Sequence, residues 1–249
     1  MQSLTLLSQM IRRKLVGDPA PRDMFKPGMF LTLSAIPFLL SDDATHIGAP
    51  EIDGADIKTN VGNVSQVDCG DLQLVRLHVA PVDGQPGFFQ IELDAQGEIT
   101  ECRFFQWIDT VYPQNEDEWF QWVNPYWARP IEFSTDDPNY PRAYQVAQIL
   151  PMIGHPQFQL TDNTLFGRHW SPSDYNIDPF QFTETEYGPG RAVVAQRTWQ
   201  SMLYSRALDL PSPAPQAEYV LASLVEEGQA AEIRILCGID IPASSIMVA

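Results

Sequence analysis

The sequence predicts an α+β fold, mainly antiparallel sheet with a few helices packed on it. Apolar and polar residues alternate over short runs, as in FFQIELD (88–94). Turn chemistry separates these runs, and most of the 21 prolines lie between them. Three short segments instead repeat apolar residues at helical spacing.

Taken in order, residues 3–15 fit an amphipathic helix, with Leu4, Leu7, Ile11 and Leu15 on one stripe and Arg12, Arg13 and Lys14 near its end. The Pro- and Gly-rich stretch 18–28 breaks it. Residues 1–50 thus read as an N-terminal helix or arm with its linker, and 51–249 as a single α+β domain. Residues 45–70 read as loops and short strands. A meander follows at 72–79, 88–94 and 98–107, joined by PVDGQPG and AQG. Asn115 with Glu118 makes a capping box, and Trp119, Trp122, Val123 and Tyr126 form one stripe, which predicts a helix over 115–124 ended by Pro125. Its rings are expected to be core, with Trp127 beyond it the ring left exposed. A second helix is predicted at 141–150, stopped by Pro151. Strands return at 157–160, 164–170, 180–187, 218–227 and 231–241. Residues 192–207 are rich in Val, Thr, Trp and Tyr and read as a long strand.

Composition bounds the function. With 249 residues, 44% hydrophobic and 19% charged, the chain can bury a core without a metal or disulfide. Its net charge of −17 disfavours nucleic acid and anionic lipid, and suits a basic protein or plain solubility. Three scattered cysteines, Cys69, Cys102 and Cys237, fit neither a disulfide framework nor a zinc site and favour a reducing compartment. The N-terminus lacks the order of a signal peptide, and FLTLSAIPFLL (30–40) is too short to span a bilayer, so the expectation is a cytoplasmic protein without stable membrane insertion. Arg12, Arg13, Lys14 and Trp127 are the candidate partner surface.

Catalytic and cofactor motifs are sparse. No phosphate loop, no Gly-x-Ser-x-Gly and no paired-histidine motif occurs, and no cofactor is expected. The one candidate constellation is His169, Asp174, Glu184 and Glu186, which could converge if strands 164–170 and 180–187 pair. An imidazole and carboxylates can hold a divalent metal or act as acid and base, the chemistry of a metal-assisted hydrolase. Glu184 and Glu186 alternate with Thr183, Thr185 and Tyr187, however, as on a solvated strand face, and His78, on the same face as Arg76, reads as solvent-facing too.

DEWFQW (117–122), MIGHPQF (152–158), LFGRHW (165–170), MLYSR (202–206) and EYVLASLVEEG with ILCGIDI (218–241) occur in an order that resembles the YjfK-like bacterial proteins, a family without an assigned activity. The resemblance covers roughly residues 55–242. It implies a cytosolic accessory of an envelope-stress system, encoded beside phage-shock protein A homologues, with a basic or membrane-peripheral partner of phage-shock type. The expected function is a non-enzymatic interaction protein.

Overall fold

The computed structural model describes residues 24–50, 52–53, 56–69, 72–82, 84–94, 99–112, 114–115, 143–144, 166–170, 179–242 and 246–248. Its strands are β1 (Phe30–Ser34), β2 (Ile52–Asp53), β3 (Asp56–Cys69), β4 (Leu72–Val82), β5 (Gln85–Leu93), β6 (Ile99–Val111), β7 (Ala143–Tyr144), β8 (Phe166–Arg168), β9 (Phe180–Tyr187), β10 (Val193–Ala207), β11 (Ala217–Glu227), β12 (Ala230–Asp240) and β13 (Ile246–Val248). Among the described residues the one α-helix is α1 (Ile36–Ser41).

Eight of these strands close into an antiparallel barrel. The order runs β3-β4-β5-β6-β12-β11-β10-β9, and β9 returns to β3, where Val64–Asp68 pair with Thr183–Tyr187 while the same stretch pairs with β4 on its other edge. The α+β expectation is therefore corrected: the fold is a closed barrel and not a sheet with helices packed on it. The strand runs themselves were legible, and β9 to β12 follow the expected segments closely. What adjacent runs cannot reveal is closure, because β3 and β9 lie more than a hundred residues apart. β3 also replaces the loops and short strands expected at 45–70. Its first half pairs with β1 and β2, its second half with β4 and β9. The helix expected at 115–124 lies outside the described residues except for Asn115, which sits at a bend. Within the one expected at 141–150, Ala143–Tyr144 pair as a strand with β8.

Both faces of the barrel wall are buried over much of its circumference. On β11 every residue from Glu218 to Val225 is buried. Inward, Val67, Phe88, Phe105, Phe182, Trp199, Leu203, Leu221, Val225 and Leu236 form one cluster, with every barrel strand except β4 placing a buried apolar residue in it. Outward, a larger cluster joins Val75, Leu77, Phe89, Ile91, Phe104, Ile233, Ile235 and Ile239 to Met24, Phe25, Leu31, Leu33, Phe38 and Ile47. The N-terminal described segment thus lies over the outer wall, with Phe38 edge-on to Phe104 at 5.4 Å. Two polar anchors fix it there. The fully buried Glu218 accepts from the backbone N–H and Nδ1 of His46 at 2.5 and 2.9 Å, and Arg206 pairs with its other oxygen at 2.6 Å. Gln106 accepts from Gly48 N at 2.8 Å and donates to Val82 O at 3.0 Å. Gly238 is required where β12 pairs with β6, since an added Cβ would stand 2.5 Å from the Phe104 carbonyl oxygen.

The outward face is not apolar all round. Gln181, Thr183, Gln196 and Thr198 on β9 and β10 are exposed. No helix among the described residues is long and apolar enough to cross a membrane.

Candidate functional site

The lumen is the chemically distinctive part of the molecule. Following one face of the strands around the barrel by register places Ser65, Arg76, Gln90, Arg103, Arg234, Ser223, Ser201, Arg197 and Glu184 on the same side as the inner apolar cluster. That this side is the interior follows from Arg76. Its guanidinium lies 4.7, 5.2 and 4.4 Å from the ring centroids of Phe88, Phe182 and Trp199. β4 and β10 are separated by two intervening strands, so these side chains meet only by converging across a closed interior.

Arg76 is 1% exposed, in a box of three rings. Burial lowers its pKa, but an arginine starts so high that it stays charged. Its counter-charge is Glu184, also 1% exposed, with Arg76 Nη1 3.4 Å from Oε2. His78 Nε2 lies 3.7 Å from Oε1 and 2.7 Å from Ser65 Oγ. Burial alone would push the Glu184 carboxyl upward; Arg76, and then His78, outweigh it and hold the carboxyl well below the usual carboxylate range. Towards the same end of the lumen, Arg197 reaches Glu186 at 2.6 Å, Glu227 at 2.7 Å and Glu184 at 4.0 Å. Asn63 donates to the other oxygen of Glu186 at 2.5 Å. Arg234 pairs with Glu232 at 2.5 Å and lies over Trp107, 4.2 Å from its centroid.

At the opposite mouth, Arg103 pairs with Glu101 at 2.5 Å and with Asp240 at 3.4 Å, and lies over Tyr219 at 4.6 Å. The Tyr219 hydroxyl donates to Asp240 at 3.0 Å. Burial pushes the Tyr219 phenol up to about 12 and raises Asp240 as well. His169 stands at this mouth, edge-on to Tyr219 at 5.3 Å and 3.1 Å from Ser205 Oγ. Burial and then Arg103 lower its pKa.

The residues singled out in the sequence are thus divided. Glu184 and Glu186 come together, but inside the barrel as partners of arginines, not on a solvated face. His78 and Arg76 do share a face, and that face is the lumen. His169 lies beside Ser205, whereas Glu184 is in register with Arg197, eight residues back along β10. At ~3.3 Å per residue the two ends are about 25 Å apart. Asp174, Arg12, Arg13, Lys14 and Trp127 lie outside the described residues. Sequence reasoning passed over Arg103, Arg197, Arg234 and Trp199, and put Arg76 on a solvent-facing side. The available signal was an arginine at the same parity as a buried apolar neighbour within three separate strands, Arg103 with Phe105, Arg197 with Trp199 and Arg234 with Leu236.

The arrangement fixes charge and leaves little reactive. A carboxyl held this low is a weak base at neutral pH. None of the three cysteines is in a disulfide, and burial raises all three thiols, Cys69 to about 11, which keeps them protonated and poor nucleophiles. Among the described residues no group of three or more His, Cys, Asp or Glu is placed to hold a metal ion. The second consequence concerns the surface. Arg76, Arg103, Arg197, Arg206 and Arg234, five of the chain's 15 basic residues, are spent on ion pairs within or against the barrel wall, while Asp42, Asp43, Asp68, Asp209 and Glu226 are exposed. The sequence of this chain, residues 18–247, matches the DUF2491 family, proteins of unknown function, and the chain belongs to that family. No curated protein and no solved structure matches it.

Proposed function

With membership of a family of unknown function as the premise, we propose that this is a non-enzymatic binding protein that recognises a basic partner through its acidic exterior. The observation that carries the reading is the strong excess of acidic residues together with the engagement of five arginines in ion pairs, four inside the lumen and Arg206 against the outer wall. Each of these cations is already paired with a carboxylate, so it offers no free positive charge to offset the net charge of −17. Such a surface accelerates encounter with a basic partner and opposes nucleic acid. The depressed carboxyl of Glu184 and the raised thiols support a binding role over a catalytic one. The resemblance to YjfK-like proteins adds the finer proposal of a cytoplasmic accessory in an envelope-stress system of phage-shock type.

The test is capture on the full chain from the native cell at low salt, followed by association rates with the captured partner over a range of ionic strength. The expected partner is rich in Lys and Arg, and its association rate falls steeply as salt rises while dissociation changes less. A partner whose association rate is independent of salt contradicts the reading.

A further inference from the structure

Among the described residues, five buried side-chain atoms lack a hydrogen-bond partner: Arg76 Nη1, both carboxylate oxygens of Glu184, Trp199 Nε1 and Arg103 Nε. Arg103 belongs to the far mouth. The other four belong to one level of the lumen. Arg76 lies over Trp199 and beside Glu184, at 3.4 Å but without the alignment of a hydrogen bond. Trp199 and Glu184 are diagonal neighbours across β9 and β10, where Phe182 faces Trp199 and Glu184 faces Arg197. Arg76, Glu184 and Trp199 are 1%, 1% and 2% exposed, so bulk solvent does not satisfy them. Unpaired buried donors and acceptors are rare in folded proteins, and four in one place call for a common cause.

Their chemistry describes what would pair them. Two donors, Arg76 Nη1 and Trp199 Nε1, stand with two acceptors on Glu184, so the complement both accepts and donates. Its charge is set by the surroundings. Arg76 and Arg197 balance Glu184 and Glu186, and a charged guest would leave a buried charge uncompensated. A metal cation would meet two guanidiniums within 4.0 Å of the Glu184 carboxylate. Ser65, Ser201 and Ser223, all fully buried, keep the neighbouring lumen positions short. The interior of an eight-stranded barrel is either filled by its own side chains or holds one small ligand.

We propose that the lumen binds a small neutral hydrogen-bonding guest, which accepts from Arg76 Nη1 and Trp199 Nε1 and donates to the Glu184 carboxylate. Water has this chemistry, and so has a small hydroxylated or amide-bearing metabolite. The proposal does not depend on the acidic surface or its partner. The test is a crystal structure of the full chain at a resolution that shows ordered solvent, with mass spectrometry of small molecules released on heating extensively dialysed protein. The expected result is density bonded to Glu184 and to Arg76 or Trp199. Single-atom density with nothing released assigns the guest to solvent; extended density with a stoichiometric released molecule assigns it to a metabolite. The Trp199→Phe variant, which keeps a ring and removes the Nε1 donor, is expected to lower the occupancy of that density at least twofold. Direct hydrogen bonds from protein groups to both Glu184 oxygens and from Trp199 Nε1 to a protein acceptor, with no density between them, overturn the proposal, and the wild-type structure decides this even where the variant does not fold.

Discussion

The two faces of the barrel wall are held by different physics. The outer face of β4, β5, β6 and β12 is aliphatic and aromatic and is covered by the chain's own residues from Met24 to Ile47. The inner face mixes aromatic rings with four arginines and their carboxylates. Outside, stability comes from apolar area removed from water, which tolerates changes that keep volume. Inside, it comes from charges already taken out of water, where each group depends on its partner. Conservative loss on the outer face should therefore cost in proportion to volume. Loss of one charge on the inner face should cost far more than its contacts suggest.

The largest effect is expected for Arg76→Met. The substitution keeps much of the volume but leaves Glu184 buried without its counter-charge, and should cost about 3–5 kcal/mol in urea unfolding. Phe38→Ala, on the outer layer, should cost about 3 kcal/mol by cavity formation, with little change in the pH dependence of stability. A pH series sharpens the contrast. The Glu184 and Glu186 carboxyls are both held below their usual 4.5 in the folded state. The unfolded chain therefore takes up protons first as pH falls, and the stability these groups contribute, complete above the usual carboxylate range, is lost progressively below it. Glu184→Gln should flatten that acid limb, whereas Phe38→Ala should shift the whole curve down. The smallest effect belongs to the exposed part of the wall, where Thr198→Ala should change stability by less than about 0.5 kcal/mol.

The same contrast explains what the sequence could reveal. Strand runs such as FFQIELD and EYVLASLVEE were legible because β-favouring residues and turns mark them whatever they face. Their faces were misread because alternation of apolar with polar residues was taken to mean core against water. In TETEY the alternation is core against exterior in the opposite sense: Glu184 is buried, and Thr183 is exposed. A carboxylate becomes tolerable inside only when an arginine from a distant strand meets it, and Arg76 is over a hundred residues from Glu184. Neither that pairing nor the closure of β9 on β3 has a local signal. The outer polar anchor was hidden for the same reason, since Glu218 is joined to His46 across 172 residues. Glu184 and Glu186 were singled out as a candidate constellation with His169 and Asp174, but the cations that pair with them were not.

A double-mutant cycle on Arg76→Met and Glu184→Gln tests the central claim, that the charged face of the strands points into a closed lumen. With unfolding free energies for the wild type, both single variants and the double variant, a buried pair is expected to show a coupling of at least about 2 kcal/mol, the double variant being clearly more stable than the sum of the single losses predicts. A coupling below about 0.5 kcal/mol, with each single variant within about 1 kcal/mol of wild type, is the behaviour of a solvent-exposed pair and would contradict the inward-facing charges.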